Sequence, residues 1–404
     1  MSRLDKLIEK LCPDGAEFLT LQECTKKVKN IKWKSYSGND KKYIDLSSVD
    51  RDLHCIMETQ NINSDAAPSR AQQIVQTDDI LLGTTRPMLK RYCMIPEKYD
   101  DEVCSTGFCV LRANTEIVLP RWIYHNIATT DFFAYVEQNQ KGASYPAISD
   151  ASVKAFRFPV PPLEVQREIV HILDYFTLFT AELTAELTAR KKQYEFYRDK
   201  LLSCDEKNPM KSLAELGKWS GGKTPSMSEK RFWEQGTIPW ISSKDMKLST
   251  LEDTQEHITE KAVKEASMTV YPANSIAVVT RSGILKHTFP VAYVPFETTI
   301  NQDIKMLVVN EDILPRYAFH VIQGKGNDIL AKTKKQGGTV DSLDFQKVLA
   351  YKVPVPSKNI QSKLVEVLDN FESICTDLNI GLPAEIEARQ KQYEYYRDLL
   401  LTFA

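Results

Sequence analysis

One stretch of this sequence occurs twice, and it limits the possible folds more than any other feature. Residues 191–202 read KKQYEFYRDKLL and residues 390–401 read QKQYEYYRDLLL. Gln193, Tyr194, Tyr197, Arg198, Asp199 and Leu201 therefore recur as Gln392, Tyr393, Tyr396, Arg397, Asp398 and Leu400. Each copy ends an apolar series at steps of three and four residues or their multiples. The first runs Ile169, Leu173, Phe176, Leu183, Leu187, Tyr194, Tyr197, Leu201, and the second Leu364, Leu368, Phe371, Leu378, Ile386, Tyr393, Tyr396, Leu400. Such spacing makes one narrow apolar seam along a helix, which must be buried against a partner. The sequence thus predicts two long helices paired antiparallel as a coiled coil, with the rest of the chain attached to them.

The rest is two globules. Residues 1–158 mix short apolar runs with turn signals: Ile80–Leu82, Phe108–Leu111 and Ile117–Leu119 read as buried strands, and Arg121–Val136 as a helix. Phe158-Pro159-Val160-Pro161-Pro162 closes the globule, because proline ends a strand and suits the start of a helix. Residues 159–204 carry the first helix, 205–353 the second globule and 354–404 the second helix. The globules echo one another. Thr85-Arg86 answers Thr280-Arg281, Leu119-Pro120-Arg121-Trp122 answers Leu314-Pro315-Arg316-Tyr317, and Val153–Pro161 answers Val348–Pro356, all at a spacing of 195. The expected class is α+β, with two mixed α/β domains separated by the helices in an internal pseudo-twofold repeat.

Charge does not narrow the function: 52 basic and 54 acidic residues nearly cancel, so a nucleic-acid partner is neither demanded nor excluded. The start, MSRLDKLIEKL, lacks the apolar core of a signal peptide and no stretch reaches transmembrane length, so a soluble, cytoplasmic protein is expected. Eight cysteines form no CxxC, and Cys104 and Cys109, the nearest approach, lack the second pair or histidine that zinc needs. Reduced structural thiols are the expectation.

At this point the sequence resembles the specificity subunit of type I restriction-modification systems, over its whole length. The second globule carries the family's opening pattern as Gly222, Thr224-Pro225-Ser226, Trp233, Gly236, Ile238-Pro239-Trp240-Ile241 and Asp245, and the two KQYE(F/Y)YRD helices complete it. The first globule lacks that opening and would be a divergent target-recognition domain. The resemblance implies two such domains, each reading half of a split DNA site with a non-specific spacer. It also implies helices that dock two methyltransferase subunits, with two restriction subunits joining the complex. S-adenosylmethionine, ATP and Mg2+ would then belong to those partners, with no cofactor or metal on this chain. A free-standing bipartite DNA-binding or coiled-coil scaffold protein is the alternative.

Catalytic motifs fail on context. Gly217–Thr224 fits GxxxxGK[ST], but no buried strand precedes it and no apolar-faced helix follows, as phosphate binding requires. Asn208-Pro209-Met210 lacks the second proline and the aromatic residue of an adenine methyltransferase loop and reads as a linker turn. The six histidines offer no metal or triad spacing. DNA contacts are expected from cationic, glycine-containing turns that combine phosphate neutralisers with side chains able to read base edges. In the first globule these are Thr85, Arg86, Lys90, Arg91, Lys141, Ser144 and Tyr145; in the second, Lys223, Thr224, Ser226, Arg281, Ser282, Lys286, His287, Lys334, Lys335, Gln336 and Thr339. Tyr194, Tyr197, Arg198, Tyr393, Tyr396 and Arg397 are expected to pack the helices and dock partners. Finally, Thr180–Leu187 reads TAELTAEL, and the second helix carries four extra residues near Gly381–Ala384. Four residues add about 400° of turn and 6 Å of rise, so steps of this size preserve the seam.

Overall fold

The computed structural model describes residues 3–202, 209–335, 340–376 and 380–403. It divides into two compact units, Met1–Thr184 with Ile386–Ala404, and Ala185–Glu385. The first cut falls inside the TAELTAEL stretch, so the helix Leu163–Leu202 contributes to both units.

In the first unit the strand Glu17–Thr20 pairs antiparallel with Arg157–Val160, which ties the start of the globule to its end. Thr20 then opens a short helix through a reciprocal capping box with Glu23. One four-stranded sheet runs Thr25–Lys26, Phe108–Ala113, Ile80–Gly83, Tyr92–Met94, and a second runs Gln60–Ile62, Lys41–Ile44, Val103–Ser105, Ala71–Ile74. The first sheet explains its own composition. Ile80, Leu82, Cys109 and Leu111 join the core under the helices, while Leu81, Phe108 and Val110 point into another cluster with Ile44, Val49 and Cys104. Both faces are buried, so the strands read as unbroken apolar runs rather than alternating ones.

Two expectations in this globule are corrected. Ile117–Leu119 is no strand: the Asn114 carbonyl accepts from the N–H groups of both Ile117 and Val118, which closes a turn. Arg121–Val136 is two helices, Pro120–Asn126 and Thr130–Asn139. The Thr129 hydroxyl donates to the Asn126 carbonyl at 2.7 Å and accepts from the Phe132 N–H at 3.2 Å, ending one helix and capping the next.

The second unit repeats this plan. Met210–Ser212 pairs with Lys352–Pro354, and Ser212 forms the same capping box with Glu215. A four-stranded sheet runs Gly217–Gly221, Ile304–Val309, Ser275–Val279, Val291–Val294, and a three-stranded one Glu256–Ile258, Ile238–Ile241, Thr299–Ile300. The parallel pair Trp240↔Thr299 and Ile241↔Ile300 is matched in the first unit by Tyr43↔Val103 and Ile44↔Cys104. Lys41–Ile44 thus stands where IPWI stands in the second globule, and the first globule keeps the architecture without the motif.

The helices pair antiparallel within each unit. In the first, Phe176 stacks on Tyr396 at 5.6 Å between ring centroids and Phe179 meets the Arg389 guanidinium at 5.4 Å. In the second, Tyr197 stacks on Phe371 at 6.0 Å, and Lys191 and Arg190 act electrostatically on Cys375. The C-terminal seam is built from two helices, Lys358–Thr376 and Leu382–Leu401, and Pro383 sits in the first turn of the latter, where its missing N–H costs nothing. Leu378, expected in that seam, lies outside the described residues. A buried glutamine pins the start of each long helical segment. Gln166 accepts from the Leu119 N–H at 2.9 Å and donates to the Pro161 carbonyl at 2.8 Å, and Gln361 does the same with Leu314 and Pro356, each at 2.8 Å. Among the described residues no helix is long and apolar enough to cross a membrane.

Candidate nucleic-acid interface

In each unit the fold brings the expected cationic turns together. In the first, the turn after the strand Ile80–Gly83 lies against the turn 141–147. Arg86 N–H donates to the Pro146 carbonyl at 2.7 Å, Ile148 N–H donates to Thr84 at 2.9 Å, and Thr85 bridges Ala147. Lys141 and Ala147 exchange two backbone hydrogen bonds of 2.8 Å, which closes a finger carrying Ser144 and Tyr145. Thr85, Arg86, Lys90, Lys141, Ser144 and Tyr145 are all exposed. The Lys90 ammonium lies 4.9 Å from the Phe133 ring. Arg91 turns inward and donates to the Leu46 carbonyl at 2.7 Å, so its guanidinium braces the two sheets.

The second unit assembles the same pair of turns. Ser282 N–H donates to Asp341 at 3.0 Å, Leu343 N–H to Thr280 at 2.9 Å and Lys335 N–H to Ser342 at 2.9 Å. Arg281, Lys286, His287 and Lys335 are exposed. Lys334 is tied down, donating to the Leu285 carbonyl at 3.2 Å and pairing with Asp341 at 3.2 Å. Gln336 and Thr339 lie outside the described residues. Exposed Lys223, Thr224 and Ser226 reach this region through Gln302, which accepts from the Thr224 hydroxyl, next to the Asp303 whose carbonyl holds Thr280. Trp240 and Trp233 support that segment by donating to the carbonyls of Lys223 and Ser226, both at 3.1 Å.

The hydrogen bonds correct the register of the repeat here. Thr84 and Thr280 each receive the same treatment, N–H and hydroxyl both donating to one carbonyl, of Gly107 and Asp303 respectively. Arg281 therefore answers Thr85, and Arg86 answers Ser282, which heads the matching 3-10 turn Gly283–Lys286. The offset of 195, expected to align Thr85-Arg86 with Thr280-Arg281, is thus 196 in this sheet.

The Gly217–Thr224 stretch forms no phosphate loop. Gly217–Gly221 is an edge strand paired with Ile304–Val309, and a Cβ on Gly222 would sit 1.9 Å from the Ile300 carbonyl oxygen. Cys104 and Cys109 are buried among apolar side chains, and burial drives their thiols well above the usual range.

Sequence reasoning missed a pair of buried anchors on the helices. His125 is fully buried, with Nε2 2.7 Å from Asp174 and Nδ1 2.9 Å from the Tyr393 hydroxyl. His320 repeats this with Asp369 at 2.6 Å and Tyr194 at 3.3 Å. Arg121 also donates to Asp174, and Arg316 to Asp369 and Glu372. Burial holds His125 below the usual histidine range, so Nε2–H donates to the carboxylate and Nδ1 accepts from the phenol. Burial opposes ionisation of Asp174 and Asp369, but hydrogen bonds from the histidine and the arginine outweigh it and hold both carboxyls low. The signal was present: Pro120-Arg121…His125 recurs as Pro315-Arg316…His320.

The anchors change the surface left for partners. Tyr194, Tyr393 and Arg397 are buried, and Arg198 and Arg397 pair with the neighbouring Asp199 and Asp398. Tyr197 and Tyr396 are about two-fifths exposed beyond their stacking partners, and Phe196, Tyr395 and Leu399 are more than half exposed.

The family model for the type I restriction modification DNA specificity domain matches residues 14–190 and again 206–388. A type I restriction enzyme specificity subunit of Escherichia coli is 50% identical over 262 residues, 63% of this chain and 65% of that subunit's length. A putative type I restriction enzyme specificity subunit of Haemophilus influenzae is 31% identical over 298 residues, 70% of this chain and 72% of its own. A solved structure concerning complex assembly and conformational transition of the type I R-M system matches with a TM-score of 0.67 at 19% identity, covering 96% of this chain and 98% of that one. The crystal structure of a type I S subunit from M. genitalium gives 0.53 at 13% identity, covering 96% and 97%. With its domain model matched twice and its fold shared with these structures, the chain belongs to the type I restriction-modification DNA specificity family.

Proposed function

We propose that this chain is the DNA-reading subunit of a type I restriction-modification complex and recognises a bipartite site, each globule reading one half. The observation that carries the proposal is the recurrence of one exposed cationic double turn at the same place in both units, with different side chains on it. A repeated scaffold with divergent tips suits two readers of different half-sites. The domains 1–158 and 205–353 are the readers, and 159–204 and 354–404 the helices. The exposed aromatic faces around Phe196, Tyr197, Tyr395 and Tyr396 dock two methyltransferase subunits, to which two restriction subunits add. Chemistry resides on those partners, which bind S-adenosylmethionine, ATP and Mg2+; this chain is not catalytic alone.

Reconstitution tests this. The purified chain, its methyltransferase partners and each alone are given S-adenosylmethionine and genomic DNA. Adenine methylation at one bipartite motif is expected only from the mixture. Methyl transfer by the chain alone contradicts the proposal, and so does a mixture whose methylation has no sequence motif, the outcome expected of a mere scaffold.

A further inference from the structure

We infer that Arg86, with its guanidinium set over the ring of Tyr145, is a base-reading residue of the first domain and selects a guanine in one half-site. The inference rests on the DNA-reading function proposed above.

Arg86 adopts the left-handed region, φ 49° and ψ 57°, immediately before Pro87. That region is uncommon for any residue but glycine, and the residue before proline is normally extended. Lys90, at the other end of the same turn, is also left-handed. Strained backbone of this kind persists only where its surroundings fix it, and it gathers at ligand sites. The surroundings here are explicit. Arg86 N–H is held by Pro146, the Leu89 and Lys90 N–H groups close back on Arg86 and Pro87 at 2.9 Å, and Pro87 is buried. The opposing finger is equally fixed, with Gly142 at φ 100°, where a Cβ would lie 3.0 Å from the Tyr145 carbonyl oxygen.

The side chains complete the argument. Tyr145 is 70% exposed, and the Arg86 guanidinium lies 4.5 Å from its ring centroid. Arg91, Arg112, Arg121 and Arg157 in the same unit each donate to a carbonyl or a carboxylate. Among the described residues no carboxylate pairs with Arg86. An exposed guanidinium set over an aromatic ring on a fixed turn, with no carboxylate partner among the described residues, suits bidentate recognition of guanine O6 and N7. In the second unit the left-handed arginine has no counterpart among the described residues. The residue in its place is Ser282, whose hydroxyl is used to cap Ile284 N–H.

The test is to sequence methylated adenines in cells carrying the whole modification complex with Arg86→Ala, Arg86→Gly, Tyr145→Phe or Tyr145→Ala. Arg86→Gly retains the left-handed backbone, so it separates loss of the guanidinium from collapse of the turn. Both Arg86 variants are expected to lose a preference of about ten- to hundredfold for guanine at one position of one half-site, with the other half-site unchanged. Tyr145→Phe keeps the preference and Tyr145→Ala weakens it at that same position. An unchanged motif from active Arg86 variants overturns the inference. Uniform loss of methylation at all sites, or relaxation at a position that is not guanine, also overturns it. If the unmodified complex itself shows no sequence motif, the DNA-reading proposal is what fails.

Discussion

The Tyr393 hydroxyl meets Nδ1 of buried His125 at 2.9 Å although 268 positions of chain separate them. The duplicated helix motif thus supplies the last polar partner of a histidine in the first globule, and its other copy, through Tyr194 and His320, does the same in the second. Tyr393→Phe leaves the His125 acceptor buried without a donor, a cost of about 1–3 kcal/mol. Chemical denaturation of the intact chain is expected to show that loss, and a smaller one for Tyr194→Phe, whose bond is longer. Equal stability of Tyr393→Phe and the unmodified protein would remove the anchor from the account.

Acid should destabilise the first unit before carboxylates titrate. Burial holds His54 down at about 4 and lowers His125 as well, against an unfolded value of about 6.5. The folded unit therefore binds fewer protons than the unfolded chain as pH falls below 6.5, so stability is level above that pH and declines beneath it. His54 alone predicts a loss of about 2 kcal/mol by pH 5. Asp174, with its folded pKa depressed, adds a further loss only below about 4. Thermal unfolding between pH 7.5 and 4.5 checks this, with His54→Asn, which tolerates the left-handed φ of 50°, expected to flatten the slope. A Tm independent of pH from 7.5 to 5 would be inconsistent with both histidines staying neutral.

The TAELTAEL stretch supplies a prediction from the sequence. Thr180 and Thr184 bond back to the carbonyls of Phe176 and Thr180, so each unit of four continues the same helix. One added TAEL contributes about 6 Å and 400°. DNA rises about 3.4 Å per base pair. The expected result is a spacer between half-sites longer by one base pair, at most two, with both half-sites kept. Methylated sites of the three-unit variant decide: an unchanged spacer in an active complex would end the idea.

Much of this was legible in the sequence because helices write their pattern locally. Leu163–Leu202 follows from the seam and the prolines before it, and the close of each globule from the repeated FPVP and VPVP segments, whereas their pairing with Glu17–Thr20 and Met210–Ser212 shows only in the fold. The cationic turns were legible as residue types, but their register was not. A strand shows side chains only alternately, and one residue gained or lost between Phe108 and Val118 moves Arg86 from the place of Arg281 to that of Ser282. Equally hidden was the first globule's counterpart of IPWI, because Tyr43 and Ile44 fill the place of Trp240 and Ile241 with different side chains on one backbone path. The histidine anchors were missed because their partners lie far off in the chain. Only packing reveals that Tyr393 belongs to His125.

The central claim is that two similar units read two halves of one site independently. It is tested most directly by replacing residues 212–353 with the corresponding domain of a relative of different specificity and sequencing the adenines that the reconstituted complex methylates. The account predicts a motif in which one half-site takes the relative's sequence and the other is unaltered. A motif altered in both halves, or in neither, would contradict it.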